Sequence, residues 1–288
     1  MADHKKTPGV FLVHCRLYEP SQENVDYFKK WTKLHYRDLT VVPTDPVYGG
    51  MTHCLRNIAP EIDSKYSHDA TKPGTVPPYF YFCVLDDIKW LETQAYFDAS
   101  RKLDIENTRS LVEGEEPVGK GGMVFDICDA RFAVYEEVET GSKVPAYQTL
   151  PFKYTTPSST SWTQPPESHI IGIHIKTPTG TPSDTFISLQ SAVTDAYPAS
   201  SAYKTYTSLY KFNKKAQPAH HPEIITDDNE NWLLVVLLVK DGEGDLPARK
   251  DIEGKVDGLV KTWKEGKDLE PYFGVWDGEV WFGRSELF

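Results

Sequence analysis

The sequence has no long apolar run, since no segment approaches the ~18 consecutive apolar residues that a membrane-spanning helix requires. It begins without the apolar core of a secretory signal and contains no Asn-x-Ser/Thr glycosylation site. Basic residues are in the minority, because 31 Lys and Arg stand against 42 Asp and Glu, a formal net charge of −11. That charge argues against binding of nucleic acid through a basic surface. We therefore expect a cytoplasmic globular protein that acts neither on nucleic acid nor at a membrane.

The sequence also lacks the short motifs that bind nucleotide phosphates or catalytic zinc, and it has no Gly-x-Ser-x-Gly nucleophile elbow. Four cysteines in 288 residues are too few for a disulfide-stabilised scaffold, and none has the close Cys-x-x-Cys spacing of a zinc site. Because buried cysteine behaves as a small apolar residue, we predict that all four pack in the core without a function. We expect no metal site. The four cysteines are Cys15, Cys54, Cys83 and Cys128.

Apolar runs and amphipathic segments occur in the order strand, helix, strand, strand, helix, strand, and this order occurs twice. Val13-His14-Cys15-Arg16 in the first copy aligns with Ile173-His174-Ile175-Lys176 in the second. The sequence therefore predicts a first half over 1–140, a Ser/Thr/Pro-rich linker over 141–166 and a second half over 167–288. The predicted strands are 9–18, 48–58, 78–86 and 121–138 in the first half and 169–178, 202–212, 231–241 and 270–287 in the second. The predicted helices are 21–39, 87–103, 183–197 and 248–266.

Each copy predicts a ferredoxin-like βαββαβ unit of the α+β class, in which both helices cover one face of a four-stranded antiparallel sheet. The other face of such a sheet is bare. We therefore expect the two sheets to pack face to face as a pseudo-twofold α/β barrel. A homo-oligomer is compatible with this arrangement, but the barrel does not require one.

The first predicted helix carries Phe28-x-x-Trp31-x-x-x-His35 and is followed by Pro43. This pattern resembles the signature of EthD-like proteins in the dimeric α/β-barrel superfamily, and by motif the resemblance covers residues 9–138. It implies an enzyme. Members include cofactor-free cyclases, isomerases, decarboxylases and dehydratases that act on polyketides or aromatic compounds, and also haem monooxygenases and haem peroxidases.

Because the chain is duplicated, equivalent positions can be compared between the halves, and some residues occur in both halves whereas others occur in only one. His35, His53 and Asp126 have no ionisable counterpart of the same chemistry in the second half. A histidine on the apolar stripe of a helix is either a hydrogen-bonded core residue or a neutral general base. We predict that His35, His53, Tyr81 and Asp126 are the catalytic residues, in the space between the first helix and its own sheet.

His14 and Arg16 share one face of the first strand, because side chains alternate along a strand. His14 has a counterpart in His174, so the two histidines form either a structural pair where the halves meet or the lining of a pocket for an anionic or enolate substrate. We include His14, Arg16, Trp31 and Tyr48 as predicted substrate-binding residues.

These observations favour a cofactor-independent lyase, isomerase or cyclase that uses histidine acid–base chemistry on a small aromatic or polyketide-like carbonyl substrate. The choice among cyclisation, isomerisation, dehydration and decarboxylation stays open. One alternative is a haem-dependent oxidoreductase, for which only His35 is an axial candidate, since the other predicted helices contain no histidine. A second alternative is a protein that binds a small molecule without catalysis.

Overall fold

The computed structural model describes residues 4–42, 44–59, 65–100, 123–140, 167–200, 202–217 and 230–283. The predicted linker over 141–166 lies outside them. The strands are β1 (Gly9–Leu17), β2 (Met51–Ile58), β3 (Tyr79–Leu85), β4 (Cys128–Glu137), β5 (Ser168–Thr177), β6 (Tyr203–Phe212), β7 (Glu230–Lys240) and β8 (Glu270–Gly283). The helices are α1 (Gln22–Val41), α2 (Gln94–Ser100), α3 (Ser183–Ala196) and α4 (Arg249–Lys264), and short 3-10 turns lie at Ile88–Glu92 and Val124–Asp126.

All eight strands form one closed antiparallel barrel in the order β1-β3-β2-β8-β5-β7-β6-β4. Two junctions join strands of different halves by hydrogen bonds, β2 with β8 and β4 with β6. In a closed barrel, alternate side chains of each strand point into the interior or outwards. The outward side chains form two clusters, under α1 and α2 on one side and under α3 and α4 on the other, and the inward side chains form a third cluster.

The expectation of two ferredoxin-like units whose separate sheets pack face to face as an α/β barrel is therefore wrong. The strands close into a single β-barrel, and only four α-helices occur in the described part of the chain. The physical reason lies at the sheet edges. A separate sheet leaves two strands with unpaired N–H and C=O groups, and pairing each edge with the other half removes all four edges at once. The assignment to the dimeric α/β-barrel and ferredoxin-like class fails with it.

Three predicted elements also differ from the structure, the first being the strand expected over 121–138, where Val124–Asp126 form a 3-10 turn and β4 begins at Cys128. In place of one helix expected over 87–103, the structure has a 3-10 turn followed by the short α2. The Asp87 side chain begins the turn by accepting a hydrogen bond from the N–H of Lys89, and the turn ends where the N–H of Thr93 donates to the carbonyl oxygen of Trp90. The last strand does not turn at Asp277-Gly278 but runs through them. A Cβ at Gly278 would lie 2.2 Å from Ser168 Oγ, so this glycine allows two strands to approach closely.

The first helix begins as its sequence predicts, since the Ser21 side chain accepts a hydrogen bond from the N–H of Asn24. The cysteine prediction is confirmed as far as packing is concerned, because all four thiols are free and buried. None of the helices in the described ranges is long and apolar enough to cross a membrane.

Candidate functional site

Two histidines from equivalent strands meet inside the barrel. His14 of β1 and His174 of β5 have ring centroids 5.1 Å apart. Both ring nitrogens of His14, and Nε2 of His174, are buried and have no hydrogen-bond partner among the described residues. Buried polar groups are nearly always paired, so free imidazole nitrogens at one point of an interior are an unusual feature that calls for a ligand or a function.

Aromatic rings enclose the histidine pair. Phe80 lies 5.0 Å from the His14 ring and stacks on Trp276 at 4.5 Å, so the two rings form an apolar wall across the barrel. On the other side, the Tyr272 ring stacks on His174 at 4.6 Å with an interplanar angle of 5°. This parallel contact shows that the outer face of His174 accepts a flat aromatic ring.

Two glycines make room for this wall. Gly172 and Gly274 are directly opposite each other in the β5–β8 register. A Cβ at Gly274 would lie 2.4 Å from the Trp276 ring, and one at Gly172 would lie 3.3 Å from it. A side chain at Gly274 would therefore displace Trp276, and one at Gly172 would press tightly against the same ring.

Burial sets the charge state of both histidines. Loss of solvent lowers the pKa of His174 to about 3. The pKa of His14 is also well below its usual value, first because of burial and then because of the neighbouring His174, Arg16 and Arg131. Both imidazoles are therefore neutral at physiological pH, and each can accept a proton.

The site opens to solvent beside Arg131 and Tyr272. Arg131 is opposite His14 in the β1–β4 register, and its side chain is 70% exposed. The stacked Tyr272 is 52% exposed, whereas His174 beneath it is only 5% exposed. Tyr272 therefore separates His174 from solvent, and the guanidinium of Arg131, which pairs with Asp129 at 3.4 Å, lies at this entrance.

Arg16, which the sequence suggests as a substrate ligand, has another role. Its guanidinium donates hydrogen bonds to the backbone carbonyls of Ser67 and Thr75, in a segment that we call the 65–78 strap. His68 of this strap accepts a hydrogen bond from the N–H of Leu17 through Nδ1, at 2.8 Å. Arg16 therefore fastens the strap to the end of β1 and is not free for a ligand.

The predicted catalytic residues do not come together. Tyr81 faces outwards under α1, where its hydroxyl donates to Thr32 Oγ1 at 3.0 Å and burial raises its pKa. His35 is half-buried on α1 and stacks on Trp31 at 4.6 Å. His53 pairs in register with Val84, an inward-facing residue, so the sheet separates it from Tyr81.

Asp126 and Tyr48 also lie apart from the histidine pair. Asp126 is in a 3-10 turn instead of the predicted strand, and its exposed carboxylate accepts a hydrogen bond from the N–H of Met123 at 2.7 Å. Tyr48 contacts the edge of His4, with the ring centroids 5.1 Å apart. Of the predicted site residues, only His14 belongs to the aromatic enclosure.

The sequence analysis does not identify the other members of this site. A signal was present in β8, where Tyr272, Gly274 and Trp276 alternate and so share one strand face. His174 is recognisable in the sequence as the counterpart of His14, which is equally compatible with a structural pair. The lack of hydrogen-bond partners at both ring nitrogens of His14 and at Nε2 of His174 among the described residues favours a functional site instead.

A separate apolar pocket lies in the barrel towards the Ile170 end of β5. Its volume is about 250 Å³ including its open mouth, and the enclosed part has room for about one water molecule in this conformation. Neither His14 nor His174 lines it, because the wall of Phe80 and Trp276 lies on the side facing them. Its lining is Leu55, Phe82, Ile170, Tyr206, Thr207, Ser208, Tyr210, Val235 and Leu237.

No protein-family model and no curated protein matches the sequence. Among solved structures, the chain is similar to an anthrone oxidase-like protein, with 11% identity and a TM-score of 0.46 over 98% of this chain and 95% of that chain. A likeness of this size does not carry a function from one chain to the other. The EthD-like resemblance is not confirmed, and the residues that suggested it, Phe28, Trp31 and His35, pack on α1 in ordinary aromatic contacts.

Proposed function

We propose that this protein is a cofactor-independent enzyme that moves a proton on a small, flat aromatic carbonyl compound, with His14 and His174 as the acid–base groups. The observation that carries the proposal is the pair of neutral imidazoles whose buried ring nitrogens are without hydrogen-bond partners among the described residues. General acid–base groups of this kind typically contribute 10²–10⁴-fold to a rate.

The substrate class follows from the walls of the site. Tyr272 already stacks parallel to His174, so a flat aromatic substrate can take the place of the tyrosine ring. Aromatic side chains also provide most of the remaining enclosure, and few polar groups are present to bind a sugar or a highly charged compound.

In the reaction, an imidazole nitrogen takes a proton from the carbon next to the carbonyl group. The electron pair of the broken C–H bond moves to the carbonyl oxygen, which becomes an enolate. The guanidinium of Arg131 at the entrance can stabilise this negative charge. Return of the proton to a different atom completes an isomerisation. In a dehydration the imidazolium instead gives the proton to a β-hydroxyl group, which leaves as water while the enolate electron pair forms the C=C bond.

The low pKa of the histidines is compatible with this role. A free imidazole with so low a pKa is a weak base. An enolate forming beside the ring favours the imidazolium, since an opposite charge nearby raises the pKa of the histidine. The base therefore gains strength as the reaction proceeds, and the second imidazole can accept a hydrogen bond from the imidazolium.

A second candidate function is the binding of a small apolar molecule without catalysis in the apolar pocket on the far side of Phe80 and Trp276, whose enclosed part must widen beyond the size of one water molecule to hold it. The two functions differ in a direct measurement. An enzyme of the proposed type exchanges the acidic C–H of its substrate with solvent, whereas a binding protein does not.

The experiment measures hydrogen–deuterium exchange at the carbon next to the carbonyl group of aromatic ketones, such as 2-tetralone and 2-indanone, by NMR in D₂O. We expect protein-dependent exchange with the wild type and a loss of about 10²-fold or more with His14→Gln or His174→Gln. His35→Gln is the matched control, since His35 lies on α1 outside the barrel interior. Exchange that depends on His35 but not on His174 would move the site to the space under α1.

If the ketones bind without exchange, the protein is a binding protein and the proposed chemistry is wrong. An absorption band near the Soret region in the purified protein, lost in His35→Gln, would instead support the haem-dependent alternative.

A further inference from the structure

We propose that Cys54 and Cys83 are a modification site, a buried dithiol that closes to an intramolecular disulfide when a peroxide oxidises the protein. The two sulfur atoms are 3.1 Å apart in neighbouring strands. Both residues are fully buried, and both thiols are free in this structure. This site lies under α1, on the opposite face of the sheet from the histidine pair, and it is independent of the proposed function.

The backbone already has the geometry of a disulfide. Cys54 and Cys83 are directly opposite each other in the antiparallel β2–β3 register. Directly opposite residues have Cα atoms about 4.5–5.5 Å apart, within the range of about 4.4–6.8 Å that disulfides span. Closing the bond therefore requires rotation of two side chains and no movement of a strand.

The other two cysteines provide an internal comparison. Cys15 is opposite Ala130 in the β1–β4 register, and Cys128 is opposite Leu17, so these two cysteines are diagonal neighbours. Diagonal neighbours across an antiparallel pair are about 7–8 Å apart, at or beyond the limit for a disulfide without backbone movement. The Cys15 and Cys128 thiols are also within hydrogen-bond reach of each other, so the two pairs differ in backbone spacing, and only Cys54 and Cys83 are directly opposite each other.

The chemistry balances with one molecule of hydrogen peroxide. One thiolate attacks the peroxide, which gives a sulfenic acid and releases water as the O–O bond breaks. The second thiol then attacks the sulfenic sulfur and displaces a second water molecule. Two thiols lose two electrons and two protons in total, and the peroxide is reduced to two waters.

Burial makes this reaction slow and confines it to the pair. The surrounding apolar groups raise the pKa of the Cys54 thiol, which lowers the fraction of reactive thiolate. The side chain of Tyr36 on α1 is buried beside both sulfurs, and both thiols contribute to the raised pKa of its phenol. Once peroxide has oxidised one thiol, the sulfenic acid has the second thiol only 3.1 Å away.

The test oxidises the folded wild-type protein with hydrogen peroxide, blocks remaining thiols with N-ethylmaleimide in denaturant, and maps peptides by mass spectrometry. We expect a peptide in which Cys54 is joined to Cys83, two alkylated cysteines at Cys15 and Cys128, and an intact mass lower by two hydrogen atoms before alkylation. Dithiothreitol should restore four alkylated cysteines.

Single variants give the control. Cys54→Ser and Cys83→Ser should each abolish the linked peptide, whereas Cys15→Ser and Cys128→Ser should keep it. Four fully alkylated cysteines after oxidation, oxidation that stops at sulfinic acid, or equal yields of a Cys15–Cys128 link would each overturn the proposal. The wild-type map alone decides this, so a variant that fails to fold does not affect the result.

Discussion

Replacement of His174 by glutamine should make the folded protein less sensitive to mild acid. His174 is buried in the barrel interior, and burial lowers its pKa to about 3 in the folded state. In the unfolded chain its pKa returns to about 6.5. Between these two values the unfolded state binds a proton that the folded state does not, so acid shifts the equilibrium towards unfolding. Glutamine has no such proton to bind.

The size of the effect follows from the two pKa values. Between about pH 7.5 and about pH 5, one histidine with a folded pKa near 3 lowers the free energy of unfolding by about 2 kcal/mol. Its stabilising contribution as a neutral group is complete above pH ~6.5 and falls as the pH decreases towards the folded pKa. His14 should act in the same direction, because its pKa is also lowered.

The assay is urea unfolding of the wild type and His174→Gln at a series of pH values, compared as a difference. Carboxyl groups and other histidines titrate in both proteins and cancel in that difference. We expect the wild type to lose about 2 kcal/mol more than the variant over this range. Ile175→Val, on the same buried strand, is the control and should lose stability in parallel with the wild type. A constant difference between wild type and His174→Gln would show that the imidazole is not held neutral.

Three further predictions concern stability, and urea unfolding checks each of them. Gly274→Ala should lower the free energy of unfolding by about 1–3 kcal/mol, because its Cβ would lie 2.4 Å from Trp276; an unchanged midpoint would contradict the close contact. Gly254→Ala in α4 should raise it by about 0.5–1 kcal/mol, since among the described residues no atom beyond the neighbouring backbone of α4 lies within 4 Å of the new methyl group. Tyr66→Phe should lower it by about 1–3 kcal/mol, because the hydroxyl bonds Glu253 at 2.6 Å; equal stability would show that solvent replaces that bond.

The strands and their faces were largely predictable from local pattern. Alternation along the first strand separates His14 and Arg16 from Val13 and Cys15, and the structure places these two sets on opposite faces of β1. This works because the period of two is a property of the extended backbone itself. The same logic fails at His53, where a register shift after Met51 interrupts the alternation.

The candidate site was only partly predictable, because its members come from strands that are distant along the chain. His14 and His174 were recognisable as counterparts, but no local pattern shows that their rings come within 5.1 Å of each other. The same is true of Phe80 and Trp276, which stack across the barrel from different halves of the chain. The predicted catalytic set does not come together in one space, since Tyr81 and His53 are on opposite faces of one sheet.

The sequence by itself determined most of the strands and the helices α1, α3 and α4, which residues of β1 share a face, and that all four cysteines are buried. Tertiary structure alone decided that β2 pairs with β8 and β4 with β6, which closes one barrel instead of two stacked sheets. Secondary structure follows from the preferences of neighbouring residues. Which strand edges pair with each other is not set in this way, because edges pair through backbone hydrogen bonds that any sequence can form. Closure of those edges places two histidines from distant parts of the chain in one enclosed, aromatic interior, where loss of solvent keeps them neutral.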